Sequence, residues 1–432
     1  MTTEQLYQIY LQFPTICTDT RKITKGCLFF ALKGDNFDGN AFAEKAITEG
    51  AEYAIIDNPE LKKNDKFILV EDVLSTLQNL AKYHRSQLTI PFVGITGTNG
   101  KTTTKELLNS VLSQKYKTYA TQGNLNNHIG VPLTLLAITK DIELAIIEMG
   151  ANHQKEIAFL SSIAQPTHGL ITNVGKAHLE GFGGFEGVKK GKGELYDFLK
   201  LSNGITFINK SNPFLMEMSN SRQLENVIFY GNEPGIEISA QIIENNPYLK
   251  IIWKTKEGSY TTQTNLTGAY NLENILVAIT VGVHFGLTAN QINKGIEAYI
   301  PGNNRSQVTK TENNTLICDY YNANPSSMAV ALDNFKSLDA VNKVVILGDM
   351  FELGDESTKE HTIVLTKALS TGASTTIFVG KEFSKSRNDA DAFFFETTNE
   401  ALEYLKQHPL KDSTILIKGS RGMRLESLIP LL

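Results

Sequence analysis

The sequence predicts an α/β protein built as three consecutive units, residues 1–86, 87–301 and 302–432. Three observations predict it. A chain of 432 residues exceeds one ordinary domain. Short, near-continuous apolar runs alternate with helix-period segments, the pattern of parallel strands covered on both faces. That alternation is broken twice, before Pro91 and at Pro301-Gly302, where helix is disfavoured.

In the first unit, "CLFFAL", "AEYAIID" and "KFILVED" read as strands, and "AFAEKAITEGA" and "VLSTLQNLAKYHRSQL" as helices. "QLTIPFVGI" links to the second unit. There "FVGIT", "ELAIIEMG" and "HGLITNV" alternate as strands with the helical "TTTKELLNSVLSQ" and "KEIAFLSSIA". From about residue 204 to 265, "NVIFYG", "YLKIIWK" and "SYTTQTN" alternate in polarity and are expected to be antiparallel edge strands. Helices over "GAYNLENILVAITVGVHFGL" and "ANQINKGIEAYI" close this unit. The third resumes strand–helix alternation through "TLICDYY", "SMAVALDNFKSL", "KVVILGD", "TTIFVG" and "STILIKG".

Composition narrows the function. A net charge of −5 argues against bulk nucleic-acid binding, and no nucleic-acid partner is expected. Cys17, Cys27 and Cys318 lack metal or CxxC spacing and read as reduced thiols. No apolar run reaches the roughly 18 residues of a membrane helix. "MTTEQLYQIYLQF" lacks the basic-then-apolar pattern of a secretory leader. A cytoplasmic protein without a membrane partner is expected. No segment calls for an obligate partner, so a monomer is expected.

"VGITGTNGKTTTKELL" carries the chemistry. A strand enters Gly97-Thr98-Asn99-Gly100-Lys101-Thr102-Thr103, and a helix follows. Glycines let backbone N–H groups approach an anion, and the helix N-terminus adds positive potential. Lys101 would neutralise phosphate charge and the Thr102 hydroxyl would ligate Mg2+. The longer GxxxxGK[ST] pattern is not met, because Ile95 stands at its first glycine. Strand, glycine loop with Lys-Thr, and helix in that order still point to a nucleotide.

Glu148 follows an apolar strand at the sheet edge where open α/β folds bind ligands. It reads either as a metal carboxylate or as an ordinary loop glutamate. His178 follows another strand and by itself weighs little. Lys189, Lys190 and Lys192 at a helix start are either a solvated basic face or include one lysine serving the anion.

Together these residues resemble the Mur ligases, ATP-dependent amide-forming enzymes of peptidoglycan synthesis. The resemblance spans the chain and rests on "GITGTNGKTTTKELL", "TQGNLNNHIGVPLTLL", "IIEMGANHQKEIAFL", "NVGKAHLEGFGGFEGVKKGKGEL", "GAYNLENILVAI", "DYYNANPSSMAVAL", "LGDMFELGDES" and "IKGSRGMRLE". Within the family the pattern is most similar to members that join D-alanyl-D-alanine to UDP-N-acetylmuramoyl-tripeptide. The resemblance implies a UDP-sugar unit, a central P-loop ATPase sheet and a C-terminal Rossmann-like unit taking the dipeptide.

It also implies roles. Lys101 and Thr102 would hold ATP phosphates and a first Mg2+, with Glu148 on that metal and His178 on a second. Lys192 matches a lysine carried as a carbamate. Asn271 and Asn274 match adenine contacts, although both also suit a helix start. Arg305 matches an arginine delivered to the phosphates, preceded here by Asn304 rather than the usual glycine. Asp319, Tyr321 and Asn322 would line the ATP site. Thr20 and Arg21 are candidates for the uridine nucleotide, and Asn124, Asn126 and Asn127 for the muramoyl-peptide. Asp349 and Ser420 are candidates for selecting the dipeptide. The implied chemistry is phosphorylation of a carboxylate to an acyl phosphate, then attack by an amine.

The diamino-acid ligase of the same family usually shows a "DNPR"-type motif in its last domain and an Ala-His-Thr-Pro segment; "YNANPSSM" and "LGDMFELG" stand in those regions here. Folylpolyglutamate synthase lacks the N-terminal UDP unit. A nucleotide switch needs the loop but no second metal site.

Overall fold

The computed structural model describes residues 1–387 and 390–432. The first sheet holds β1 (Ile16–Cys17), β2 (Leu28–Phe30), β3 (Tyr53–Ile56) and β4 (Phe67–Leu69), parallel and adjacent in chain order. All three residues of β2 are buried, as a strand covered on both faces should be. Helix α1 (Thr3–Gln12) precedes this sheet and α2 (Val73–Ser86) follows it. Asp72 caps α2, its side chain accepting from the Ser75 N–H.

The second sheet is wholly parallel. It contains β5 (Phe92–Thr96), β6 (Thr118–Ala120), β7 (Leu144–Glu148), β8 (His168–Ile171), β9 (Ile205–Asn209) and β10 (Val227–Tyr230), in the order β10-β9-β8-β5-β7-β6. Helix α3 (Lys101–Leu112) follows β5, α4 (Gly130–Leu136) follows β6, α5 (Glu156–Ala164) follows β7 and α6 (Phe185–Leu201) follows β8. Next come the antiparallel strands β11 (Ser239–Asn245), β12 (Leu249–Thr255) and β13 (Gly258–Gln263), then helices α7 (Asn271–His284) and α8 (Ala289–Ala298).

One expectation needs correcting here. Only β11 to β13 are antiparallel; β9 and β10 are the last two parallel strands of the main sheet. As an edge strand β10 is only partly covered. Its mixed polarity therefore imitates a half-exposed antiparallel strand, and only the crossover helix Pro213–Arg222 distinguishes the two.

The third sheet contains β14 (Gln307–Lys310), β15 (Asn314–Asp319), β16 (Lys343–Gly348), β17 (Thr375–Val379), β18 (Phe393–Phe395) and β19 (Ser413–Lys418). Their order is β14-β15-β19-β16-β17-β18, with β14 alone antiparallel to its neighbour. Helix α9 (Pro325–Ser337) follows β15.

The first two units share one core. Leu77 and Leu80 of α2 join Val131 and Leu135 of α4, Leu160 of α5 and Leu199 of α6 in a single buried cluster. Polar groups fasten the seam. Tyr10 Oη donates to the Leu136 carbonyl at 2.6 Å, and Arg85 donates to the carbonyls of Ala164 at 2.9 Å and Gln165 at 2.7 Å. The Arg85 guanidinium also lies 3.7 Å from the Phe92 ring centroid, and burial pulls its pKa down to about 10. On the opposite face of the sheet, α3 packs through Leu107, Leu108 and Val111 against Ile275 and Ile279 of α7. Among the described residues no helix is long and apolar enough to cross a membrane.

Candidate active site between the second and third units

The loop after β5 is fixed by its neighbour. Because β5 pairs with β8, the chain ends of both strands abut. Asn173, just past β8, accepts from the Asn99 N–H at 2.9 Å through its side chain and from Thr98 N–H at 3.0 Å through its carbonyl. The Thr172 hydroxyl donates to the Asn99 carbonyl at 2.6 Å. Gly100 has φ +79°, and a Cβ there would meet Asn274 Oδ1 at 2.6 Å, so both conformation and space demand glycine. The N-terminus of α3 then faces the cleft. Lys101 lies across the loop, its Nζ donating to the carbonyls of Gly97 at 2.7 Å and Thr98 at 3.1 Å. Burial lowers its pKa to about 8, with Glu148 opposing that shift.

Glu148 ends β7 and is 1% exposed. Its Oε1 accepts from the Thr102 hydroxyl at 3.2 Å and from Asn126 Nδ2 at 2.8 Å. Its Oε2 has no hydrogen-bond partner among the described residues, and the nearest cation, Lys105 Nζ, is 3.8 Å away. A buried carboxylate oxygen without a donor, beside a threonine hydroxyl, is a donor set for a hard divalent cation.

Asn126 therefore supports Glu148, while Asn127 caps α4, its Oδ1 accepting from the Gly130 N–H at 2.8 Å. Both line the cleft with Asn124. On α7, Asn271 donates to the Thr267 carbonyl at 2.8 Å, Asn274 donates to Asn271 Oδ1 at 2.8 Å, and Thr104 donates to Asn274 Oδ1 at 3.1 Å. This relay ties α7 to α3 behind the loop, and both asparagines reach the cleft wall.

The three lysines of α6 separate. Lys189 pairs with Glu186 and Glu217 at the surface and Lys190 is exposed, which is the solvated-face alternative. Lys192 occupies the apolar stripe of Val188, Leu195 and Leu199 and is 2% exposed. Its Nζ donates to the Ala151 carbonyl at 3.1 Å and sits 5.0 Å from the Phe182 ring centroid. Burial, then the charge of Lys101, holds its pKa well below the usual lysine value.

The third unit supplies the opposite wall. The Arg305 guanidinium lies 4.0 Å from the Tyr321 ring centroid, and its buried Nε has no partner among the described residues. Asp319 accepts from the Ser306 N–H at 3.3 Å and from Lys418 Nζ at 2.6 Å. Asn322 Oδ1 accepts from Ala323 N–H at 2.9 Å. Polar contacts bridge the cleft: Asn324 donates to Asn99 Oδ1 at 2.8 Å, Lys176 N–H donates to Ser326 at 2.9 Å, and Lys176 Nζ donates to Glu360 at 2.5 Å. His178 Nδ1 meets Glu352 in the same seam, and burial lowers the histidine pKa. The cavity so enclosed has a volume of about 740 Å3, within the usual range for ligand sites.

Six expected residues do not line this cavity: Gly97 and Lys192, placed above, and four others. Arg21 forks onto Asp19 and its side chain is 85% exposed; Thr20 begins the same short turn. Asp349 is buried, its carboxylate accepting from the N–H groups of Glu382 at 2.9 Å and Phe383 at 3.0 Å. Ser420 is also buried, and its Oγ accepts from the Phe351 N–H at 3.1 Å. Asp349 and Ser420 fasten the loops after β16 and β19 to one another. Conversely, Lys418, Asn173 and Asn324 line the cavity without being expected from the sequence, and buried Lys105 stands behind Glu148. Lys418 carried a legible signal, a charge closing the apolar run "STILIK" just as Glu148 closes "LAIIE".

Three α/β units with a phosphate-type loop walled by the last unit define the architecture of the Mur ligases. The Mur ligase middle-domain model matches residues 95–282, the Mur ligase glutamate ligase domain matches 304–421, and the Mur ligase catalytic domain matches 13–85. The chain belongs to the Mur ligase family. It is 34% identical over 441 residues to the UDP-N-acetylmuramoyl-tripeptide--D-alanyl-D-alanine ligase of Bacillus subtilis, covering 96% of this chain and 92% of that protein. The enzyme of the same name from Escherichia coli is 35% identical over 426 residues, with the same coverage of 96% and 92%. Among solved structures, MurF from Acinetobacter baumannii superposes with a TM-score of 0.89 at 31% identity, covering 99% of this chain and 98% of that one. MurF from Thermotoga maritima, solved in complex with ADP, superposes with a TM-score of 0.86 at 25% identity, covering 98% and 97%.

Proposed function

We propose that this protein is an ATP-dependent ligase joining D-alanyl-D-alanine to UDP-N-acetylmuramoyl-tripeptide, releasing ADP and phosphate. The observation that carries the proposal is the convergence, in one cleft, of the Lys101-Thr102 loop, the Glu148 carboxylate, whose Oε2 has no hydrogen-bond partner among the described residues, and Arg305 from the third unit. The relatives named above, matched over 96% of the chain, select this pair of substrates.

The tripeptide carboxylate attacks the γ-phosphorus of ATP and ADP leaves, giving an acyl phosphate. The dipeptide amine then attacks the acyl carbon, and the tetrahedral intermediate expels phosphate as the amine loses a proton. The difficulty of the first step is that two anions must meet. Lys101 and Arg305 supply compensating charge from opposite walls, and electrostatic stabilisation of this kind is the main contribution in phosphoryl transfer. Thr102 and Glu148 would hold Mg2+, which adds further charge compensation when bound. Contact of the third unit with the second keeps water from the acyl phosphate.

Lys192 would carry the family's carbamate. A buried, neutral amine is the form that adds to CO2, releasing a proton and leaving an anion beside Lys101. His178 would serve a second Mg2+ through Nε2, since Nδ1 meets Glu352. Asn271, Asn274, Asp319, Tyr321 and Asn322 would bound the nucleoside. Residues 1–86, with Thr20 and Arg21, would take the UDP-sugar, and 302–432 the dipeptide. The enzyme would act as a cytoplasmic monomer.

The test is phosphate release from ATP and Mg2+ with UDP-N-acetylmuramoyl-tripeptide, with and without D-alanyl-D-alanine. Release requiring both, with a UDP-pentapeptide product by mass, supports the proposal. Release requiring UDP-dipeptide and a free diamino acid would move the enzyme one step back. ATP binding without turnover on either pair would leave a nucleotide switch.

A further inference from the structure

A second cavity of about 310 Å3 opens off the first, sharing Thr102, Asn124, Arg305 and Tyr321 with it. Apart from Gly123, its remaining wall comes from the third unit and includes Arg421 and Glu426. Arg421 differs from most charged groups near the cleft. Among the described residues its guanidinium makes no hydrogen bond and no ion pair, and it rests 5.1 Å from the Tyr321 ring centroid. Arg305 lies 4.0 Å from the same centroid, so one ring braces two guanidiniums whose charges repel. Glu426 lines the same cavity yet is not paired with Arg421. Arg421 also has a firm base. It follows Ser420, whose side chain and N–H are tied to Phe351 and Asp349.

We propose that this second cavity seats the incoming dipeptide, with Arg421 as the specificity-determining residue that grips its terminal carboxylate. The inference rests on the ligase reading above. A planar guanidinium with unused donors suits a carboxylate bidentately. An anion there also relieves the repulsion around Tyr321. The cavity volume sits at the small end of ligand sites, as a dipeptide requires. Because the two cavities share Thr102, a molecule held by its carboxylate at Arg421 directs its other end, the amine, toward the phosphate loop. Arg305 lines the phosphate-loop cavity as well and Arg421 does not, so Arg305 stays with the phosphates and the two arginines divide the anions between them.

The test compares wild type with Arg421→Met and Arg421→Lys, using D-alanyl-D-alanine and its C-terminal amide. Arg421→Met should raise KM for the free dipeptide about 30-fold or more, falling on KM rather than kcat. KM for ATP and for the UDP-tripeptide should move less than about threefold, which also reports a folded protein. Wild type should discriminate strongly against the amide, Arg421→Met should not, and Arg421→Lys should lie between. An acid-to-amide preference that survives Arg421→Met, or an effect falling on KM for ATP, would overturn the proposal while leaving the ligase reading intact. Failure of the wild type to ligate the dipeptide would overturn both.

Discussion

The two seams around the central sheet are built from opposite materials. Toward the first unit, α2 buries Leu77 and Leu80 in the core of the central unit, and Arg85 is enclosed among carbonyls it alone satisfies. Toward the third unit, the contacts are amides, a hydroxyl, an ion pair and an imidazole: Asn324 with Asn99, Ser326 with Lys176, Glu360 with Lys176, Glu352 with His178. Separating the first seam would expose apolar surface and strand buried polar groups, both costly. Separating the second hands polar groups back to water. The first seam is a weld and the second a latch, and the reaction site lies at the latch.

The largest effect should come from breaking the weld. Arg85→Ala leaves the carbonyls of Ala164 and Gln165 without donors and should destabilise the whole protein by about 3 kcal/mol, read by denaturant unfolding. Leu80→Ala, which opens a cavity in the shared core, should cost about 2–4 kcal/mol in the same assay. A loss below about 1 kcal/mol from both would mean that the first two units are not one cooperative body.

The latch should answer differently. Lys176→Met removes the partner of Glu360, whose side chain is only 3% exposed, but opening the cleft rehydrates that carboxylate. Global stability should change by less than about 1 kcal/mol while kcat/KM falls about tenfold and the radius of gyration by solution scattering increases. Equal losses in stability and activity would erase the distinction between the seams.

The smallest effect concerns the loop at the latch. With its pKa near 8 in the free protein, Lys101 loses its proton as pH rises through that value. ATP phosphates favour the charged form, so affinity should weaken above about pH 8 and binding there should take up as much as one proton. Calorimetry in buffers of different ionisation enthalpy reads this directly, and Lys101→Met should abolish the uptake.

The weld and the latch were unequally legible. The three sheets follow from local pattern, because apolar runs such as "LAII" and "VVIL" record burial on both faces. Of the strands, β10 was misassigned because an edge strand is half covered whichever way it runs. The glycine loop was legible since φ at Gly100 and the close approach of Asn274 admit no side chain. Lys192 was legible in principle as a lysine on an apolar stripe. The roles of Asn126 and Asp349 were not. An amide or carboxylate carries no local sign of whether it faces a ligand, a second side chain or backbone N–H groups.

The sequence alone determined the succession of strands and helices, the phosphate-type loop and the family resemblance, because periodicity, glycine and short motifs act over a few neighbouring residues. Tertiary structure alone decided which of three lysines is buried, that Glu148 keeps one oxygen without a donor among the described residues, and that Arg421 and Arg305 meet at one tyrosine. Those facts depend on distances between residues far apart in the chain, and such distances exist only once the sheets have packed.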